Sequence, residues 1–282
     1  MTQNEIKTYF DYHNSNMKYL KIGYEEIRNQ IKLFYKSTDK NGNLIYDFED
    51  IDFRKIDIRK KEQSFNRILS GIQVSWAEES LKRLLYEKDL LNDNQRNYIL
   101  KKPLIEKWLE TFKIVFCIAY DLMPANDEFC IQVDIRRERN NLGNELVEQY
   151  LLLRKIISEN LTPNFAIRNK VQHGEWNFAF EAPISEVFSQ NLTDKIKKEN
   201  IVTTTSRYLI VNSIYNMIVD LGRFKSNSFA LDSITTPFEY FYEKYVKKIN
   251  FEIEKIKHCD LEKFIEDIVQ KEIRGIEYRN RM

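Results

Sequence analysis

The chain has 282 residues, and 44 Lys and Arg against 43 Asp and Glu give a formal net charge of +1. Seven Gly and five Pro are too few for the closely spaced turns of a β-sandwich or barrel, while 43% hydrophobic residues exclude general disorder. Near-neutral charge excludes a polybasic, histone-like binder, and three His with three Cys offer little material for a metal centre. No metal and no cofactor are therefore expected.

The cysteine count is odd and lacks CxxC spacing, which argues against a disulfide framework. The start, MTQNEIKTYF, carries no apolar leader, and the longest apolar run, Ile114 to Tyr120, falls far short of the ~20 residues of a membrane span. A cytoplasmic protein without a membrane partner is expected.

In chain order, Leu20, Tyr24, Ile27, Ile31 and Phe34 step by four and three and predict a helix over about 17–37. The run Asp39-Lys40-Asn41-Gly42-Asn43 breaks it. Its glycine stands fourth, not sixth as in a calcium loop, so it reads as a turn. Leu44, Tyr46 and Phe48 alternate, as do Ile56 and Ile58, which suits short strands. A long helix follows at about 61–90, with Phe65, Ile68, Leu69, Ile72 and Trp76 on its stripe, and Pro103 opens another to about 123. The segments 129–135 and 176–180 alternate at strand period and suit a small β appendage; between them lies a helix at about 141–160. Helices are also predicted over 203–223, from the Thr236-Pro237 cap to Ile256, and over about 260–274. The fold expected is mainly α. An N-terminal helix and mixed segment (1–60), a helical bundle (61–223) and a C-terminal helical extension (224–282) form one continuous domain.

One segment carries chemistry. Thr162 and Pro163 fit the start of a short helix, and Gly174 fits the left-handed residue beyond its end. At about 100° per residue, Ile167 and Val171 share one side, while Arg168, Asn169, Gln172 and His173 spread over the other. A guanidinium, two amides and an imidazole on one arc suit a phosphate. Histidine moves protons near neutral pH, and arginine can stabilise the pentacoordinate oxyanion formed when a 2′-OH attacks phosphorus. In-line transfer needs an acid and a base, which two such helices in a two-fold dimer would supply.

Arg168-Asn169-Lys170-Val171-Gln172-His173 resembles the R-N-x-x-x-H motif of the HEPN superfamily, helical ribonuclease domains of prokaryotic defence and toxin systems. The resemblance implies a HEPN-like bundle, a homodimer with motif helices facing each other, and metal-independent cleavage of RNA by a toxin or antiviral effector. It also implies catalytic roles for Arg168 and His173, with Asn169 in support, and an antitoxin or sensor protein as a partner. Gln172 and Glu175 are further candidates for support, and Lys170 for substrate contact. The match is confined to this hexapeptide, and roughly 105 residues follow it where the family has few.

The same residues also suit a non-catalytic helical module that binds RNA, nucleotide or a protein partner. His13 and His258 read as surface or capping residues, Cys117 as a packed thiol, and Arg136-Arg137-Glu138-Arg139 as a solvated loop.

Overall fold

The computed structural model describes residues 1–36, 53–120, 143–175, 178–180, 187–224 and 237–280. The expected turn at 39–43, the alternating stretches at 44–48 and 129–135, and the 136–139 cluster lie outside them. The fold is mainly α, as expected. Its elements are α1 (Gln3–Phe34), α2 (Phe53–Leu85), α3 (Asp93–Leu100), α4 (Leu104–Ala119), α5 (Asn144–Gln172), α6 (Gln190–Lys198) and α7 (Ile201–Phe224). Then α8 (Pro237–Phe241) runs through a π-helical turn (Tyr242–Val246) into α9 (Lys247–Lys257), and α10 (Leu261–Asn280) follows.

Several elements differ from expectation for identifiable reasons. α1 begins a dozen or so residues early, at a capping box: Thr2 N–H donates to Glu5 Oε2 at 2.7 Å and Glu5 N–H to Thr2 Oγ1 at 3.3 Å. α3 starts at a second box, built by Asn92 and Gln95. Ile56 and Ile58 belong to α2 rather than to a strand. Among the described residues the β appendage reduces to a single antiparallel bridge between Phe180 and Phe188.

The largest correction concerns the motif helix. The helices expected at 141–160 and from Pro163 onward are one, α5, with Pro163 inside it. Thr162 does not cap; its hydroxyl donates to the Ser158 carbonyl at 2.8 Å. An interior proline costs about 3 kcal/mol. Leu161, Phe165 and Ile167 are buried around it, and each such side chain contributes about 1.5–3 kcal/mol, so packing carries the helix through.

On α2 the stripe is also rotated from the one expected. Ile68 is exposed, whereas Glu62, Asn66, Arg67 and Gln73 are buried. Glu62 Oε1 accepts the Ile201 N–H at 3.1 Å, a first-turn donor of α7 with no intrahelical partner, and Arg67 Nη1 donates to the Glu199 carbonyl at 3.4 Å.

The chain divides into two compact units, neither continuous in sequence. The first takes Met1–Tyr19, Ser75–Phe165 and Tyr208–Glu252. Its core is aromatic: Phe112 stacks on Tyr150 with centroids 5.4 Å apart, and Phe116 meets Tyr150 edge-on at 5.2 Å. Around these lie the fully buried Trp108, Leu84, Leu85 and Ile99. The second unit takes Leu20–Val74, Ala166–Arg207 and Ile253–Met282. It buries Tyr24, Ile31, Leu69 and Ile265, and Phe34 meets Phe65 edge-on at 5.1 Å. No helix among the described residues is long and apolar enough to cross a membrane.

Candidate functional site

The last turns of α5 sort their residues as the helical wheel requires. Ile167 and Val171 are buried in a small cluster with Ala179 and Ile196, against which Leu192 of α6 packs. Asn169 and His173 are exposed. Arg168 and Gln172 occupy the α5 backbone positions just before Asn169 and His173. The imidazole and one amide of the motif thus stand in solvent, opposite the apolar contacts that anchor the helix.

The helix closes as expected at Gly174, whose φ of 82° is left-handed. Gly174 N–H donates to the Val171 carbonyl at 3.1 Å and Glu175 N–H to the Lys170 carbonyl at 3.0 Å, the paired bonds of a Schellman ending. His173 N–H still bonds the Asn169 carbonyl at 3.2 Å, so the histidine is fixed by its backbone at the helix end.

Lys170 and Glu175 turn towards each other. Glu175 accepts the Phe180 N–H at 2.7 Å and lies 3.4 Å from Lys170 Nζ, which also donates to the Phe180 carbonyl. Both side chains are largely buried in this clasp. In these contacts Lys170 and Glu175 hold the segment that follows the motif.

Further polar clusters contain no motif residue and are announced by no local spacing. His13, half-buried rather than on the surface, brings Nδ1 within 2.9 Å of Glu79 and stacks on Tyr86. Burial would raise the pKa of Glu79, but hydrogen bonds from Lys82, Asn16 and His13 outweigh it and hold the pKa down to about 2. In the second unit, Arg207 chelates Glu199 with Nε–Oε1 3.1 Å and Nη2–Oε1 2.9 Å, while burial pushes the Glu62 carboxyl up. Cys117 is buried, as expected for a packed thiol, and His258 is exposed beside Glu254. Among the described residues no group of three or more His, Cys, Asp or Glu is placed to hold a metal ion. A cavity of about 450 Å³ in the first unit, between Ile6, Phe10 and Tyr86, contains no motif residue.

Searches against known protein families, curated proteins and solved structures return no match to the chain.

Proposed function

We propose that this chain is a metal-independent endoribonuclease of the HEPN type, working as a homodimer. The observation that carries the reading is the exposed end of α5, where His173 stands beside Asn169 on the face away from Ile167 and Val171. An imidazole fixed at a helix terminus can move a proton without reorganising the chain. In this reading the 2′-OH of RNA attacks the adjacent phosphorus, and the His173 of one copy takes its proton. The Arg168 guanidinium bears the developing oxyanion charge, and the second copy's histidine protonates the leaving 5′-oxygen. The products are a 2′,3′-cyclic phosphate and a 5′-hydroxyl. The resemblance extends the proposal to a cytoplasmic toxin or antiviral effector, governed by an antitoxin or sensor protein.

The test is cleavage of labelled single-stranded RNA in EDTA by wild type, His173→Ala and Arg168→Ala. Cleavage by wild type alone, with cyclic-phosphate ends, supports the proposal. Equal, negligible cleavage by all three overturns it in favour of a helical binding module.

A further inference from the structure

Immediately after the motif, the chain holds aromatic rings out of the core on a firmly tied backbone. Ala179 is fully buried; its N–H donates to Thr193 Oγ1 at 2.9 Å and its carbonyl accepts from Ser189 N–H at 2.8 Å. Phe180 bridges to Phe188, and Glu175 and Lys170 hold its N–H and carbonyl. Side chains alternate along an extended chain, so an inward Ala179 turns its neighbours outward. Phe178 is 56% exposed and Phe188 46%, with ring centroids 6.4 Å apart. α6 ends in Lys195, Lys197 and Lys198, all exposed, and Lys197 Nζ lies 4.9 Å from the Phe178 ring centre. Asp194, the carboxylate on α6, is engaged by Gln190 at 2.7 Å.

Phenyl rings are normally buried, yet these two stay exposed beside a backbone held by the bonds above. Every base has an apolar face and every nucleotide a phosphate, so paired rings with a lysine beside them complement a strand whose bases are unpaired. We propose that Phe178, Phe188 and Lys197 form a docking surface for single-stranded RNA. Bases stack on the two rings, and a phosphate meets Lys197 beside Phe178. The proposal rests on the ribonuclease reading for the choice of RNA, and gives a nearly neutral chain a local means of holding it.

The test uses the full chain carrying His173→Ala, so that bound RNA is not cut. Fluorescence anisotropy is read with a short labelled oligouridylate and with an abasic strand of equal length. The expected result is binding that weakens roughly 10- to 100-fold on Phe178→Ala or Phe188→Ala, survives Phe178→Tyr, and is at least tenfold weaker for the abasic strand. Lys197→Gln should weaken binding and lower the salt slope by about 0.7. Thermal unfolding of each variant checks that the fold persists. Equal affinities of the parent and the Phe178→Ala/Phe188→Ala pair overturn the proposal. Equal binding of the abasic strand does the same, as does absence of RNA binding with co-sedimentation on phosphatidylglycerol vesicles. Stacking-dependent binding by a wild type that cuts nothing overturns only the ribonuclease reading. Wild-type cleavage undiminished in the double alanine variant overturns only the docking surface.

Discussion

Lys170 and Glu175 meet across the Gly174 turn with Nζ and Oε2 3.4 Å apart, and between them they hold both backbone polar groups of Phe180. Sheet partners would ordinarily satisfy such groups. Here two side chains do so, and the path of residues 178–180 depends on them.

Glu175→Ala should therefore destabilise the protein by about 1–3 kcal/mol, because it strands the Phe180 N–H and leaves Lys170 without its carboxylate. Urea unfolding reads the loss, and proteolysis at Phe178 should accelerate. Glu175→Gln, which can still accept that N–H, should recover part of it. A Glu175→Ala protein as stable and protease-resistant as wild type would show that the clasp contributes nothing.

Gly174→Ala should cost about 1–2 kcal/mol, the strain of a left-handed residue bearing a Cβ. A Cβ there meets nothing within 4 Å, so crowding adds nothing to the loss. Gly174→Asn should lose less, since asparagine tolerates this conformation better. The denaturant midpoints of the two variants, compared at constant slope, check the order.

The motif's anchoring was legible because Ile167 and Val171 sit four apart, and because glycine suits a φ near 82° best. The start of that helix is not legible, because Thr162-Pro163 has the local chemistry of an N-terminus. What overrides it is the burial of Leu161 and Phe165, which depends on distant segments. The early start of α1 was written in Thr2-x-x-Glu5 and in Ile6, Phe10 and Met17, which continue the stripe of Leu20 and Tyr24 towards the N-terminus. The buried face of α2 could not be read from periodicity. Glu62 and Arg67 are inside because Ile201 and Glu199 supply backbone partners more than 130 residues away. His13 meets Glu79 in the same manner, 66 positions on.

The hydrogen bonds that Lys82, Asn16 and His13 give Glu79 make the protein sensitive to acid. The Glu79 carboxyl falls from 4.5 to about 2 on folding, so its contribution is whole above 4.5 and is lost as pH drops towards 2. Glu79→Gln should flatten the decline of stability across that window in urea titrations at stepped pH. An unchanged decline would mean that other carboxyls govern it.

Gly222 on α7 marks a close approach, since a Cβ there would overlap the Leu90 side chain and touch Val115. Gly222→Ala should cost about 1–3 kcal/mol through overpacking, although alanine favours helices. Pairing it with Leu90→Ala should restore part of the loss, which a double-mutant cycle measures.

The π-helical turn at Tyr242–Val246 lets two successive residues, Lys244 and Tyr245, reach the single carboxylate of Asp220. In a regular helix neighbours diverge by about 100°. The wide turn also stores one surplus residue of chain length. Deleting a single residue within it leaves the flanking helices in register, whereas the same deletion in α9 would swing Ile249 off its buried face. Length variation in this helix is thus permitted at one address, and its cost there is the grip on Asp220.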